Sequence, residues 1–110
     1  MAEKTETNQR RKIDDNIIYV GRKPFANYAF SLFTQISKKD QKELKIIARG
    51  AFTSRAIDLL ELAKRKFSEG DNRIKEVVIG TGSERFKKKD DGGKERDIMV
   101  SVIEIKITKE

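Results

Sequence analysis

Ile17-Ile18-Tyr19-Val20-Gly21-Arg22-Lys23-Pro24 is the stretch of this chain that decides its fold. Its first four residues are β-branched or aromatic and predict a short strand, which the glycine ends. Pro24 suits the first position of a helix, because its missing N–H would have no helical partner there. Apolar residues then recur at three- and four-residue spacing, which predicts an amphipathic helix to about Ser37. The stretch therefore predicts a strand–loop–helix unit with two cations, Arg22 and Lys23, in its loop.

A second strand–helix unit follows a charged turn over residues 38–43. Residues 44–49 predict the strand, and Gly50 ends it. The helix begins near Thr53, and Gly70 stands where a glycine commonly terminates a helix. One apolar stripe follows this helix and predicts the face that packs on the sheet. It contains Phe52, Ala56, Leu59, Leu60, Ala63 and Phe67.

The remainder of the chain predicts two strands joined by a projecting hairpin. Residues 74–79 form the third strand, and apolar residues alternate cleanly through the fourth at residues 99–107. Between them, Asp91-Gly92-Gly93 is a hairpin turn signal. The order β-α-β-α-β-β predicts an α+β, two-layer fold: a mixed four-stranded sheet, two helices on one face, and a long protruding hairpin. Residues 1–14 are predicted to be a disordered tail, and residues 15–110 a single domain.

Charge and composition narrow the class of function. A net charge of +7, from 25 Lys and Arg against 18 Asp and Glu, favours a polyanionic partner, nucleic acid before an anionic membrane surface. The chain has no Cys and no His, which excludes disulfides, ordinary zinc sites and Ser-His or Cys-His nucleophilic chemistry. No apolar run approaches the roughly 20 residues of a membrane helix. We therefore expect a cytoplasmic protein with no cofactor, no metal and no membrane contact.

The hairpin from Arg85 to Arg96 is the strongest candidate for a binding element. Phe86 is its single apolar side chain, and each leg would project about 20 Å. Two-stranded ribbons can enter a DNA groove, and Arg and Lys favour the electronegative minor groove. The alternative is a solvated loop without a ligand. The basic residues of the hairpin are Arg85, Lys87, Lys88, Lys89, Lys94 and Arg96.

Three shorter features of the sequence also bear on function. The pair Arg22 and Lys23 precedes a helix, whose first backbone N–H groups attract anions. Arg49 ends a strand beside a glycine that lets another backbone approach closely. Gly80-Thr81-Gly82 is faintly similar to a dinucleotide-binding loop, but Arg85 occupies the position of the third glycine and no helix follows. No group of carboxylates has a spacing typical of an acid/base site, so we predict that the chain is not an enzyme.

Two separate motifs resemble those of the Alba family of archaeal chromatin proteins. The first is Ile18-Tyr19-Val20-Gly21-Arg22-Lys23-Pro24 with Asn27-Tyr28, and the second is Ala48-Arg49-Gly50 followed in register by Ser54-Arg55-Ala56-Ile57-Asp58. The resemblance runs from about Ile17 to Lys109 and includes the order of strands and helices. It implies an architectural protein, associated with the chromosome or nucleoid, that binds double-stranded DNA and RNA with little sequence preference. It also implies a homodimer built on the second helix and last strands, side-by-side dimer arrays on DNA, or a heterodimer with a paralogue.

The resemblance also implies roles for single residues. Nucleic-acid binding falls to Arg22, Lys23, Arg49, Arg55 and the basic residues of the hairpin. Phe67 matches an aromatic position used where Alba dimers pack side by side, although it equally suits the core stripe of its helix. Arg22 replaces a lysine at which acetylation weakens binding in the family, so Lys23 is the candidate acetylation site here. Ala51 stands where some members have a second arginine, which predicts a weaker contact by the body.

Two other functions stay open at this point. The first is RNA binding, as an RNA chaperone or a ribonucleoprotein subunit of the ribonuclease P type, and a preference for folded RNA would favour it. The second is a protein-interaction module whose charge only confers solubility. Protein partners that survive nuclease treatment would support the second alternative.

Overall fold

The computed structural model describes residues 16–38, 41–69 and 73–110. The predicted tail at residues 1–14 and the predicted helix-ending Gly70 lie outside these ranges. The order β-α-β-α-β-β is confirmed. The elements are β1 (Ile17–Val20), α1 (Phe25–Ser37), β2 (Glu43–Arg49), a 3-10 turn (Gly50–Phe52), α2 (Thr53–Glu69), β3 (Ile74–Lys89) and β4 (Glu95–Lys109).

The four strands form one mixed sheet in the order β1-β2-β4-β3. Strand β1 pairs with β2 in parallel, and β4 pairs antiparallel with both of its neighbours. Both helices pack on one face of this sheet, which confirms the predicted α+β, two-layer arrangement. Neither helix in the described part of the chain is long and apolar enough to cross a membrane.

The core lies between the helices and the sheet, and strand alternation produces it. In β2, Leu44, Ile46 and Ala48 are at most 2% exposed and pair in register with the buried isoleucines of β4. The predicted α2 stripe is confirmed, since its residues from Ala56 to Phe67 are buried and Phe52 is partly buried. The intervening strand residues point to the opposite side, here called the outer face. Ion pairs cross the outer face from Lys45 to Glu104 at 3.5 Å and from Glu43 to Lys106 at 3.6 Å.

The last two strands are longer than the sequence predicted. Strand β3 continues to Lys89 and β4 begins at Glu95, so the predicted hairpin is regular paired strand almost to its tip. Neither side of this ribbon packs against the core, and the period-2 apolar pattern that marks a half-buried strand is therefore weak there. Gly80-Thr81-Gly82 lies within β3 and not in a strand-to-helix loop. This position agrees with the prediction that these residues do not form a dinucleotide-binding loop.

The start of α1 also differs by one position from the prediction. Pro24 has φ −53° and ψ 143°, so its backbone is extended and it caps the helix instead of forming its first residue. Because ψ is extended at this residue, the helix begins at Phe25. The N–H of Asn27 donates to the carbonyl of Pro24 at 2.9 Å, which closes the first turn.

Candidate nucleic-acid interface

Strand directions bring three basic groups to the same end of the sheet. Strands β1 and β2 are parallel, so the loop after Val20 and Arg49, the last residue of β2, lie at the same end of the sheet. Strand β3 runs in the same direction as β2, because both are antiparallel to β4. The last pair between β2 and β4 joins Arg49 to Val102. Residues 83–101, here called the arm, therefore extend beyond the rest of the sheet, here called the body together with its helices. They do so at the end of the sheet that carries Arg49 and the loop with Arg22 and Lys23.

The β1–α1 loop, residues 21–24, is held by two side chains from outside it. The hydroxyl of Tyr28 accepts hydrogen bonds from the N–H groups of Gly21 at 2.8 Å and Lys23 at 3.0 Å. The guanidinium of Arg55 donates to the carbonyl of Gly21 through Nη1 and to that of Lys23 through Nη2, the latter at 2.8 Å. Arg55 also lies over the Tyr28 ring, 5.5 Å from its centroid. These contacts leave the side chains of Arg22 and Lys23 exposed.

Arg55 is one of the predicted binding residues, but its guanidinium contacts the backbone of the β1–α1 loop. The structure brings it together with Arg22 and Lys23, as a common site requires. Its guanidinium points at backbone carbonyls of the loop, and its side chain is half-buried. The arrangement fits a residue that positions the loop, in which Arg22 and Lys23 provide the charges.

Arg49 lies on the outer face and is paired with a carboxylate that the sequence analysis did not single out. Its Nε donates to Glu84 Oε2 at 2.9 Å and its Nη2 to Glu84 Oε1 at 3.0 Å. The hydrogen bond to Arg49 lowers the pKa of the Glu84 carboxyl below its usual range, although desolvation acts in the opposite direction. The pair joins the end of β2 to the base of the arm. A phosphate that binds Arg49 must therefore compete with Glu84.

The 3-10 turn begins at Gly50, directly after Arg49. Gly50 has φ +58°, a left-handed conformation that favours glycine. A Cβ atom at this residue would lie 3.4 Å from Val100 Cγ1, so the turn also passes close to the arm. The neighbour is a side chain and not a second backbone, so it is the positive φ, and not a close backbone approach, that favours glycine here.

The arm has two faces with different contents. Alternation along the paired strands places Arg85, Lys87 and Lys89 on the side of the helices. Lys88 and Arg96 lie on the outer face with Phe86 and Ile98. Lys94 is in the tip, where the Asp90 carboxylate accepts from its N–H at 2.9 Å and Gly93 has φ +81°. All six predicted basic residues of the arm are exposed.

Comparisons with known proteins identify the family of this chain. The sequence model of the family described as Alba matches residues 16–81, which is more than half of the chain. The chain belongs to the Alba family. The DNA/RNA-binding protein Alba of Methanococcus maripaludis is 37% identical over 83% of this chain and 94% of its own length. The protein of the same name from Picrophilus torridus is 32% identical over 87% of this chain and 98% of its own length.

A solved Alba structure shares the fold as well as the sequence. Alba from Thermoplasma volcanium superposes with a TM-score of 0.60 and 31% identity, over 84% of this chain and 99% of that one. The resemblance that the two motifs predicted is therefore confirmed. The matched range of the Alba model contains the β1–α1 loop, Arg49 and Arg55 but ends at Thr81, before the arm.

Phe67 does not reach the surface of this Alba chain. It is 4% exposed and belongs to the core under α2, as the core alternative predicted. A side-by-side contact between dimers through Phe67 requires its ring to turn outward, and this role stays a prediction. A more exposed aromatic ring is present on α1, where Phe30 is 73% exposed.

Sequence reasoning missed two residues that organise the interface of this Alba chain. Tyr28 belongs to the apolar stripe of α1, and nothing in the stripe indicates that its hydroxyl caps the preceding loop. Glu84 is one of many acids in the chain, and its partner Arg49 is 35 residues away. Among the residues the structure describes, no group of three or more acidic side chains could hold a metal ion.

Proposed function

We propose that this Alba-family chain binds double-stranded DNA with little sequence preference, as an architectural protein of the chromosome, and that it also binds RNA. The observation that carries the proposal is the convergence of the β1–α1 loop, Arg49 and the arm at one end of the sheet. Its relatives from M. maripaludis and P. torridus are named DNA/RNA-binding proteins, which supports the same ligand class.

Affinity on this proposal comes mainly from phosphate neutralisation. Arg22 and Lys23 project from a loop whose backbone is fixed, so little backbone freedom is lost when they contact phosphates. The arm extends about 20 Å from the body, enough to follow a groove of the duplex. Binding of this kind releases counterions and depends little on base sequence.

Arg49 joins the interface only after it separates from Glu84. The bidentate pair uses two guanidinium N–H groups that would otherwise be available to a phosphate. A backbone phosphate at the base of the arm replaces the Glu84 carboxylate in this proposal. Glu84 therefore tunes the affinity of the body of the protein.

We also propose a homodimer, formed by α2 and the last two strands. Strand β3 lies at the edge of the sheet, and its Val78 and Ile79 are 47% and 54% exposed. Ile57 on α2 is 46% exposed. Exposed apolar residues on an edge strand are an aggregation risk unless a partner covers them. Light scattering coupled to size-exclusion chromatography is expected to give a molar mass twice that of the chain. The Ile79→Glu variant is expected to have the mass of the monomer.

Fluorescence anisotropy at several salt concentrations tests the proposed binding. About six phosphate contacts predict a slope of log affinity against log salt near −5 for a DNA duplex. Two unrelated duplex sequences should give affinities that agree closely. A binding constant that barely changes between low and physiological salt would contradict the phosphate mechanism.

RNA is the second candidate ligand, and both relatives are named as proteins that bind it as well as DNA. The same anisotropy series on a structured RNA compares the two ligands directly. A clear preference for the RNA would indicate a ribonucleoprotein role. Failure to bind either nucleic acid at physiological salt would leave the protein-interaction module as the function to test.

A further inference from the structure

The two faces of the arm differ in the charges that lie opposite each other across the two strands. On the outer face, Lys88 lies directly opposite Arg96 in the strand register, so two cations face each other across the ribbon. Like charges in opposed positions destabilise a strand pair. An anion held between the two side chains removes that repulsion. On the helix-side face the register sets cations against acids, in the pairs Lys87–Asp97 and Lys89–Glu95.

Both outer-face cations remain accessible to a ligand. The Asp90 Oδ2 atom is 3.6 Å from Arg96 Nε, yet the Arg96 side chain is 76% exposed. Asp90 is occupied mainly with the tip of the arm, where its Oδ1 accepts from the N–H groups of Gly92 at 3.0 Å and Lys94 at 2.9 Å. Lys88 is exposed, and within residues 73–110 no carboxylate forms an ion pair with it.

An apolar pair lies beside these cations on the same face. Phe86 is opposite Ile98, two residues closer to the body than the cation pair. Their contact stabilises the ribbon, but the side chains remain 42% and 36% exposed. Same-face neighbours along a strand follow each other at about 6.6 Å. The outer face therefore presents an aromatic ring and, at the next same-face position toward the tip, two opposed cations.

We propose that Phe86, Ile98, Lys88 and Arg96 form a nucleotide platform that binds an unpaired nucleotide of a nucleic acid. The base stacks on the exposed part of the Phe86 ring, and its phosphate lies between Lys88 Nζ and the Arg96 guanidinium. Stacking on an aromatic side chain tolerates any base, because every base has a π face. The inference rests on the proposed nucleic-acid binding and adds to it a preference for duplexes that contain an unpaired base.

The test compares a fully paired DNA duplex with the same duplex carrying one bulged adenine. Anisotropy titrations should show that the wild-type protein binds the bulged duplex about fivefold more tightly or better, the lower range for stacking one base. Phe86→Leu retains an apolar partner for Ile98 but loses the ring, so it should remove the preference and keep the affinity for the paired duplex. Phe86→Tyr retains the ring and should keep the preference.

Met99 provides the matched control on the arm. It is 60% exposed and points to the helix-side face, opposite Arg85. Met99→Ala should leave the preference for the bulged duplex unchanged. Equal losses in Met99→Ala and Phe86→Leu would show that general apolar contact, not the platform, carries the preference, and would overturn the proposal.

The wild-type result separates this inference from the function on which it rests. Equal affinity for the two duplexes overturns the nucleotide platform and leaves the proposed DNA binding in place. No binding to the paired duplex overturns the proposed function itself, and the platform with it. Lys88→Ala should reduce the preference for the bulged duplex, whereas Lys87→Ala on the other face should weaken binding to both duplexes alike. An equal effect of the two lysines on the preference would overturn the phosphate half of the platform.

Discussion

The β1–α1 loop and the arm both present cations at one end of the sheet, but they are held in place by different means. The loop forms four hydrogen bonds, two donated to the Tyr28 hydroxyl and two accepted from Arg55, and these side chains come from two different helices. The arm is held by its own cross-strand pairs and by the contact of Arg49 with Glu84 at its base. A two-stranded ribbon is only marginally stable by itself.

This difference separates two ways of binding a phosphate backbone. The loop is arranged before the ligand arrives, so substitutions that disturb it should reduce affinity without changing the number of phosphates contacted. The arm can adjust to the ligand, so its contribution depends on charges and on the ring that it presents.

Removal of both loop cations should have the largest effect. Arg22→Ala combined with Lys23→Ala is expected to lower DNA affinity at least about tenfold, because hydrogen bonds to charged groups are lost. The loss should be the same on unrelated sequences, and the salt slope should fall by about two. Anisotropy on two duplexes measures both quantities. A loss confined to one sequence would indicate base readout instead.

Substitution of Arg55 distinguishes a positioning residue from a phosphate contact. Arg55→Ala should reduce affinity by about threefold to tenfold, equivalent to about 1 kcal/mol, because the loop loses the two carbonyl contacts that hold it in place. Arg55→Lys is the informative control, because a lysine keeps the charge but cannot form the two-pronged contact. We expect it to behave like Arg55→Ala, with the salt slope unchanged in both. If Arg55→Lys binds like the wild type, Arg55 contacts phosphate directly.

Release of Arg49 should strengthen binding. Glu84→Gln removes the bidentate carboxylate and is expected to tighten DNA binding about twofold to threefold, a modest effect typical of an exposed ion pair. Glu104→Gln is the matched control, since it removes the same charge from the outer face, where Glu104 pairs with Lys45 at 3.5 Å. Equal gains in the two variants would indicate that net charge alone is responsible.

The smallest effect concerns the pH dependence of the contact at the base of the arm. Because Arg49 lowers the pKa of Glu84 in the folded protein, the contribution of the pair is complete above the ordinary glutamate pKa of about 4.3. It is lost as the pH falls through the lower, folded-state value. An NMR titration of the Glu84 carboxyl should show this low value, and Arg49→Ala should return it to the ordinary range. An unchanged titration in the variant would contradict the assigned cause.

Much of the architecture could be predicted from local sequence. The apolar stripe of α2 is buried as predicted, and the alternation of residues 99–107 marks a buried face at Ile103, Ile105 and Ile107 but not at Met99, which is exposed. The outer halves of β3 and β4 could not be bounded in this way, since strands without a buried face leave no period-2 pattern. The predicted place of Pro24 at the first position of the helix was wrong by one residue, because proline has the same φ at the cap and at the first helical position.

The sequence by itself determined the Alba family, the order of strands and helices, and the basic residues from which an interface is built. Only the tertiary structure decided what those residues do: Arg55 supports a loop, Arg49 is engaged by Glu84, Phe67 is buried, and Lys88 faces Arg96. Local patterns report burial and charge within a few residues of one another. Contacts between residues 32 to 35 positions apart depend instead on strand register and helix packing, which place the side chains in space.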